Sequence, residues 1–230
     1  MTVGPSTRFV ALLGHPVAHS LSPRMQNAAF AARGLDLHYV ALDVPPERLE
    51  EAVRGLVALG FAGANVTAPH KLAVAALELV ETDLLSVNTL VLRDSRVEGH
   101  STDTAILAGR PAPRAAIVGD GGSARAFRDA LPHARVFSRR GEWPPEVGDA
   151  DLVVNATSAR DEVLVALAPG QTLVDLPYPE TATAAAARAA GANVVGGLEV
   201  LVAQGAAAFE LWTGLPAPLS VMRAAVDLSA

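Results

Sequence analysis

A glycine-rich loop between a buried strand and a helix is the feature that most restricts how this chain can fold. The segment AAIVGDGGSARA, residues 115–126, carries Gly119, Gly121 and Ala124 in a G-x-G-x-x-A spacing. Glycines in this position let the backbone approach a pyrophosphate, and the start of the helix supplies N–H groups and positive potential. The spacing predicts a Rossmann-like nucleotide site, and a purely structural glycine turn is the alternative.

The strand that follows this helix indicates which nucleotide the site would take. It reads ARVFSRR and ends in Ser138, Arg139 and Arg140, where NAD-binding chains usually have an acidic residue for the ribose diol. Two guanidinium groups suit a ribose 2′-phosphate, so the sequence favours NADP as the cofactor. The alternative is that the two arginines are simply solvated and bind no cofactor. Asp120 adds a carboxylate to the loop. Either its side chain points away from the diphosphate or it weakens the nucleotide site, and NAD stays open as the cofactor.

The whole chain alternates between strand and helix patterns, which predicts α/β layers with parallel sheets. The pattern restarts at Ala115, after the linker-like stretch AGRPAPR. Half of the 230 residues are apolar, which is enough for two small cores. We predict a helix over 71–80, a hairpin over 90–97 with Asp94-Ser95 at its turn, closing helices over 198–213 and 220–228, and a turn instead of a crossover helix after Arg140.

Composition excludes several classes of function. A net charge of −6 and a pI near 5.5 give no reason to expect nucleic acid or an anionic membrane as partner. The chain has no cysteine, so disulfides, thiol chemistry and zinc–thiolate sites are excluded, and no metal site is predicted. The apolar run over 9–13 is too short for a signal peptide or a membrane span. We therefore expect a cytoplasmic protein, either a monomer or a homodimer.

Lys71, at the end of NVTAPHK, is the only lysine in the chain. Eighteen residues are lysine or arginine, so every other one is arginine. Arginine stays charged at any relevant pH, whereas lysine can give up a proton and recover it. The single lysine therefore favours a role in acid–base chemistry, with a solvated surface lysine as the alternative.

Polar side chains follow several predicted strands. Asn65 and Thr67 stand at the end of one strand, in the crevice where open α/β sheets bind ligands. Asn88 lies in VNT and Asp103 in STD, each next to a further predicted element. Ordinary helix caps and turns would explain Asp103 and Asn88 singly, and Ser22 before Pro23 also reads as a cap. Their joint position at strand ends favours a binding site for a small polar ligand.

Eight motifs taken together resemble a known family. They are, in chain order, GHPVAHSLSP, GANVTAPHK, VNT, STD, VGDGGSARA, NATS, DLPYPETAT and GGLEVLVAQGAAAFELWTG. This string is similar to that of the shikimate dehydrogenases, and it extends from about Phe9 to Gly214. The combination is specific because it covers nearly the whole chain.

The resemblance implies a fold and a set of site residues. It implies an α/β shikimate-binding domain over 1–106, to which helices in 205–230 return, a Rossmann-like NADP-binding domain over 107–204, and a cleft between them. Lys71 and Asp103 would form the catalytic pair. The implied shikimate contacts are Ser20, Ser22, Asn65, Thr67, Asn88 and Gln204, with Tyr178 nearby. The implied cofactor contacts are Gly119, Gly121, Gly122, Ser123, Ala124, Ser138, Arg139, Arg140, Leu176 and Gly197.

The implied activity is the reversible NADPH-dependent reduction of 3-dehydroshikimate to shikimate, a step of chorismate and aromatic amino acid biosynthesis. Most departures from the family pattern lie on the cofactor side, where Ser138-Arg139-Arg140 replaces the usual Asn-Arg-Thr. Ser101 also replaces an asparagine before Thr-Asp. Two alternatives therefore stay open: a quinate/shikimate dehydrogenase that uses NAD, and a non-catalytic protein that senses a metabolite or nucleotide.

Overall fold

A computed structural model of the chain describes residues 3–227. The chain divides into two compact units, one made of Met1–Thr102 with Val202–Ala230 and the other of Asp103–Leu201. The sequence boundaries were expected at 106 and 204, and the assignment of a ligand to each domain stays a prediction. The predicted end of the last helix, Leu228, lies outside the described residues.

The first unit is built on a mixed sheet that has six strands within residues 3–227. Its strands are β1 (Arg8–Gly14), β2 (Leu37–Asp43), β3 (Gly63–Val66), β4 (Val80–Glu81), β5 (Thr89–Arg93) and β6 (Arg96–His100). Their order across the sheet is β2-β1-β3-β5-β6-β4. The central strand β1 runs parallel to β2 and β3, and the β5–β6 hairpin joins β3 in antiparallel pairing. Asp94 and Ser95, both at positive φ, form the predicted turn of that hairpin.

Helices cover this sheet with apolar side chains. They are α1 (Ser22–Ala32), α2 (Leu49–Ala58, preceded by the 3₁₀ turn Pro46–Arg48), α3 (Lys71–Ala75), α6 (Gly197–Thr213) and α7 (Leu219–Ala225). The division between the units falls within α6. Phe30 of α1 stacks on Phe209 of α6 with ring centroids 5.6 Å apart, and α7 also packs against α1. The predicted return of the C-terminal helices to the first domain is thereby confirmed.

The second unit contains a fully parallel sheet, as the glycine loop predicts. Its strands are β7 (Ala115–Val118), β8 (Arg135–Phe137), β9 (Leu152–Asn155), β10 (Thr172–Asp175) and β11 (Asn193–Val195), in the order β11-β10-β9-β7-β8. The helices of this unit are α4 (Gly122–Ala130), α5 (Ala182–Ala189) and the 3₁₀ helix Asp103–Leu107. The strand order reverses between β7 and β9, and ligands of open α/β sheets bind beyond such a switch point. The predicted Rossmann-like architecture is confirmed.

Two local predictions differ in outcome. The helix predicted over 71–80 is wrong beyond Ala75, because the chain then turns and Val80–Glu81 pairs with β6 as a short strand. The apolar side chains of that segment face the core from a turn and a strand, which periodicity alone does not distinguish from a helix. The prediction of a turn after Arg140 is confirmed, because residues 138–151 contain no helix. Across residues 3–227, no helix combines the length and apolar character that a membrane span requires.

Candidate active site

Asn65 lies in β3 at the heart of a buried hydrogen-bond network. The phenol of Tyr39 donates to Asn65 Oδ1 at 2.8 Å, and Asn65 Nδ2 donates to Asn88 O at 3.2 Å and to Thr89 Oγ1 at 3.0 Å. Only 4% of Asn65 is exposed. The donor phenol fixes the amide so that its oxygen faces Tyr39 and its nitrogen faces β5.

Asn88 is bound on both sides of its amide. Its Oδ1 accepts from the backbone N–H of Thr102 at 2.7 Å, and its Nδ2 donates to Thr102 Oγ1 at 3.0 Å. The backbone carbonyl of Asn88 also accepts from Val66 N at 2.8 Å. The network therefore joins the end of β3, the start of β5 and Thr102, the residue before Asp103.

Lys71 is half-buried and is the first residue of α3. His70, directly before it, is 1% exposed, and its Nε2 lies 2.7 Å from the carbonyl oxygen of Val44. A carbonyl can only accept, so this ring nitrogen carries the proton. The backbone of Lys71 accepts from Val87 N at 3.0 Å, which ties the start of α3 to the segment that leads into Asn88. The chain's only lysine is thus held beside the Asn65–Asn88 network.

The two serines of HSLSP do not have the positions that a helix cap at Ser22 would require. The N-cap position of α1 is Leu21, which forms no side-chain cap hydrogen bond, and Ser22 is already the first residue of the helix and is 6% exposed. The hydroxyl of Ser20 accepts from the backbone N–H of Ser22 at 3.2 Å. The alternative in which Ser22 caps the helix is therefore wrong, and its role as a substrate contact stays a prediction.

Thr67 and Gln204 are the remaining predicted substrate contacts in the first unit. Thr67 follows β3, and its backbone N–H donates to Leu13 O at 2.8 Å. Gln204 lies in α6 directly before Gly205, whose carbonyl accepts from Gln26 Nε2 of α1 at 2.8 Å. Thr67 and Gln204 are both half-buried, so their side chains remain within reach of solvent.

Asp103 and Tyr178 belong to the second unit. Asp103 is 7% exposed and begins the 3₁₀ helix Asp103–Leu107, and Tyr178 is half-buried in the segment after β10. The pairing of Asp103 with Lys71, and the place of Tyr178 near a substrate, stay predictions.

The glycine loop has the geometry that nucleotide approach requires. Gly119 has φ +130°, and a Cβ there would lie 2.9 Å from the carbonyl oxygen of Ala156 in the turn after β9. A Cβ on Gly121 would meet no atom within 4 Å, so that side of the loop is open. Gly122, Ser123 and the buried Ala124 form the first turn of α4. The open side at Gly121, next to the start of α4, is compatible with the predicted pyrophosphate, whose binding stays a prediction.

Arg139 and Arg140 both lie in a cavity of about 410 Å³ beside this loop. Each guanidinium already contacts a carboxylate that lines the same cavity. Arg139 Nη2 donates to Glu162 Oε1, and Arg140 Nε lies 3.0 Å from Asp120 Oδ2. The carboxylate of Asp120 is turned toward Arg140. Its effect on nucleotide binding stays a prediction.

A buried polar network lies at the carboxyl ends of β9 and β10 in the second unit. Asp175, at the end of β10, accepts from Asn155 Nδ2 at 2.7 Å and from the hydroxyl of Thr181 at 2.8 Å. Burial raises the pKa of Asp175, and these two hydrogen bonds act against that rise. Leu176 follows directly, and its carbonyl stands next to Gly197, where a Cβ would collide with Pro177 O. Asn155, in NATS, is thus bonded to the end of β10, and its carbonyl also accepts from Leu176 N at 3.0 Å.

Sequence reasoning missed three residues of these arrangements: Tyr39, His70 and Glu162. Tyr39 sits in an ordinary strand pattern, so nothing in the sequence marks its hydroxyl as a partner of Asn65. His70 lies next to Lys71 in the quoted motif, and its burial was the available signal only once the fold was known. Glu162 is 23 residues from Arg139, and no local spacing links the two.

The sequence and the fold are both similar to those of known proteins. The sequence models of the shikimate dehydrogenase substrate binding domain and of the shikimate 5'-dehydrogenase C-terminal domain match residues 12–85 and 197–226. Proteins named shikimate dehydrogenase (NADP(+)) from Anaeromyxobacter dehalogenans and Moorella thermoacetica are each 42% identical over 96% of this chain, and 96% and 92% of their own lengths are covered.

A solved structure shows the same architecture. The crystal structure of shikimate 5-dehydrogenase from Thermus thermophilus, in complex with NADP(H) and shikimate, superposes with a TM-score of 0.83 at 34% identity. The superposition covers 96% of this chain and 98% of that one. With this agreement in sequence over nearly its whole length and in fold, the chain belongs to the shikimate dehydrogenase family.

Proposed function

We propose that this protein is an NADP-dependent shikimate dehydrogenase, which interconverts 3-dehydroshikimate and shikimate on the route to chorismate and the aromatic amino acids. The observation that carries the proposal is the position of Lys71. The only lysine of the chain opens α3 behind a buried histidine and is tied by its backbone to the Asn65–Asn88 network.

The reaction needs one hydride and one proton. NADPH, held by the cofactor residues assigned below, would supply the hydride for the ring carbonyl carbon. Lys71, as an ammonium, donates a proton to the developing alkoxide oxygen and accepts it back in the reverse direction. General acid–base catalysis of this kind typically contributes about 10²–10⁴-fold in rate. Asp103 is proposed as the partner that orients the ammonium, on the basis of the family resemblance.

The substrate side of the proposal uses hydroxyl and amide groups. We assign the carboxylate and ring hydroxyls of shikimate to Ser20, Ser22, Asn65, Thr67, Asn88, Tyr178 and Gln204. Asn65 Oδ1 has two lone pairs and Tyr39 occupies one, so the other can accept from a substrate hydroxyl. A small polyol acid suits such a set, because many weak, directed hydrogen bonds fix its orientation.

The cofactor side combines a backbone cradle with positive charge. We assign the diphosphate to Gly119, Gly121, Gly122, Ser123 and the buried Ala124, which lie at the start of α4. Ser138, Arg139 and Arg140 then take the ribose 2′-phosphate, and Leu176 and Gly197 are assigned as further cofactor contacts on the basis of the family resemblance.

A second candidate function uses NAD, with quinate as an additional substrate. It is favoured by one observation, namely that Asp120 and Glu162 line the cavity predicted for the 2′-phosphate. A sensing protein on the same fold is the third alternative, and it would bind ligand without turnover.

Nicotinamide absorbance tests the proposal directly. Purified protein is mixed with shikimate and NADP, then with shikimate and NAD, and then with quinate and each cofactor. Reduction with shikimate and NADP at the highest kcat/KM is the expected result. Higher kcat/KM with NAD or quinate would favour the second candidate. Binding of shikimate without reduction in any mixture would contradict an enzymatic role. A cytoplasmic location and a monomeric or homodimeric state belong to the same proposal and rest on the sequence.

A further inference from the structure

We propose that Glu162 and Asp120 are specificity-determining residues that act as counter-anions in the 2′-phosphate subsite and limit the preference of this enzyme for NADP over NAD. The inference rests on the proposed function, since it concerns the same cofactor cavity. It goes further because it assigns a role to two carboxylates that the reaction itself does not require.

Arg139 is held from two sides before any nucleotide binds. Its Nη2 donates to Glu162 Oε1, and its guanidinium lies 5.3 Å from the centroid of the Trp143 ring. This distance is within the range of a cation–π contact. Glu162 and Trp143 both line the cavity, so these two contacts hold the guanidinium beside the subsite although the side chain remains largely exposed.

Arg140 is held in a corresponding way from the glycine loop. Its Nε lies 3.0 Å from Asp120 Oδ2, and Asp120 stands between the two glycines that the diphosphate approaches. The cavity therefore contains two guanidinium groups and two carboxylates, whose formal charges cancel. A 2′-phosphate that binds these guanidinium groups either displaces the carboxylates or shares the arginines with them, and in both cases it remains close to them.

The exposure of these four side chains indicates that replacing a carboxylate by a phosphate costs little free energy. The side chains of Arg139 and Glu162 are 63% and 51% exposed, and those of Arg140 and Asp120 are 87% and 40% exposed. Exposed ion pairs of this kind contribute little stability, so a phosphate with about two negative charges can replace a carboxylate. What persists is repulsion between the phosphate and the displaced carboxylates, which lowers the affinity for NADP.

The same carboxylates favour NAD. A ribose 2′-hydroxyl can donate a hydrogen bond to Asp or Glu, as it typically does to the acidic residue that follows the second strand of an NAD site. A carboxylate in this cavity thus disfavours one cofactor and favours the other. Removal of its charge should change the ratio of the two affinities more than either affinity alone.

Two nucleotides that differ only in the 2′-phosphate isolate this effect. We would measure the Kd of adenosine 2′,5′-bisphosphate and of adenosine 5′-monophosphate by calorimetry for wild type, Glu162→Gln, Asp120→Asn and the double variant. Each single variant should raise the ratio of affinities, bisphosphate over monophosphate, about 3- to 10-fold, and the double variant should raise it further. The ratio of kcat/KM values, NADP over NAD with shikimate, should rise in parallel.

The matched control is Glu142→Gln. Glu142 is also an exposed carboxylate in a pair with an arginine of the same unit, Arg135 at 3.2 Å, and it does not line the cavity. This control should leave both ratios within about twofold of wild type, because solvent and salt screen its charge. Thermal unfolding of every variant would show that the second unit is still folded.

The outcomes separate the inference from the proposed function. Wild type that reduces NADP with shikimate, together with variants whose affinity ratios equal wild type or fall, would overturn the inference alone. Wild type without shikimate-dependent reduction of either cofactor would contradict the proposed function. An equal rise in the Glu142→Gln control would overturn the inference too, because the effect would then be one of net charge and not of the cavity.

Discussion

The phenolic hydroxyl of Tyr39 donates a 2.8 Å hydrogen bond to Oδ1 of Asn65, and both side chains are buried. This contact decides which end of the Asn65 amide faces β5, where its nitrogen donates to Asn88 O and Thr89 Oγ1. A proposed substrate contact is therefore positioned by a residue that no ligand needs to touch.

Tyr39→Phe tests this positioning role. The variant leaves Asn65 Oδ1 buried without its protein donor, which typically costs about 1–3 kcal/mol of unfolding free energy. We expect the KM for shikimate to rise about 3- to 10-fold, because a loosened amide binds the substrate hydroxyl less well. The kcat should change less than the KM. Steady-state kinetics and chemical denaturation measure both effects.

Trp212→Phe is the matched control for that variant. Trp212 Nε1 donates to Leu90 O at 3.0 Å in the same unit, so this change also removes one buried hydrogen bond. It should lower stability and leave the KM for shikimate unchanged. An equal rise of KM in both variants would mean that Tyr39 acts through general stability.

Lys71→Arg tests the proposed acid–base role of the lone lysine. The variant keeps the positive charge but cannot cycle a proton at neutral pH. We expect the kcat to fall about 10²–10⁴-fold, with a much smaller change in the Kd of shikimate. Stopped-flow absorbance and equilibrium binding measure the two quantities. A kcat within a few-fold of wild type would reject Lys71 as the acid.

Arg54→Lys is the control, because it exchanges arginine for lysine away from the proposed site. Arg54 lies on the exposed face of α2, where it pairs with Glu50 at 2.7 Å. Its replacement should leave the kcat unchanged, which shows that an exchange between the two basic residues is harmless away from the site.

Alanine variants of Gly119 and Gly121 distinguish the stability of the glycine loop from its proposed binding of nucleotide. Gly119→Ala should lower both Tm and nucleotide affinity, because an alanine at φ +130° is strained and its Cβ would crowd Ala156 O at 2.9 Å. Gly121→Ala should leave Tm within about a degree or two, since its φ is −82° and no atom lies within 4 Å of the new Cβ. Its Kd for NADP should still rise about tenfold, because that open space is where the diphosphate approaches. An unchanged Kd for NADP in Gly121→Ala would contradict the proposed position of the diphosphate beside Gly121.

The sequence was sufficient for features that depend on local patterns. The loop at 119–124 follows a strand and opens a helix, and together with the alternation of strand and helix patterns it predicts the parallel sheet of the second unit. The Asp94-Ser95 turn is equally local, because a hairpin needs two residues that tolerate positive φ. The family could also be predicted from the sequence, because the eight motifs occur in the order typical of that family.

Contacts between distant residues could not be predicted in the same way. Tyr39 and Asn65 are 26 residues apart, and Arg139 and Glu162 are 23 apart. Each pair meets only after strand order and loop paths are fixed, which no spacing in the sequence encodes. The error over 76–80 has a related cause. Apolar residues there are compatible with a helix, and the pairing of Val80 with β6 decided the outcome.

Asp175→Asn tests the pH dependence that burial imposes on the nucleotide unit. Burial raises the pKa of Asp175 above its ordinary value of 3.8, so the folded state keeps this proton to a higher pH than the unfolded state does. The contribution of Asp175 to stability therefore falls as pH rises from about 3.8 through the raised pKa, and it is level above that range. Asparagine keeps an acceptor for Asn155 and has no charge to bury.

The Tm difference, variant minus wild type, should consequently increase across this pH window and then become constant. Asp151→Asn is a control of opposite sign, because the Arg114 guanidinium holds the pKa of exposed Asp151 below 3.8. Its wild-type ion pair contributes fully above 3.8 and loses that contribution as pH falls through the lowered pKa, so the Tm of this variant relative to wild type should fall as pH rises toward about 4 and stay level above, by a small amount in solvent. Thermal unfolding of both variants from about pH 2.5 to 8 covers both windows and measures the two slopes. A Tm difference for Asp175→Asn that does not change with pH would mean that the buried carboxylate titrates alike in the folded and unfolded chain.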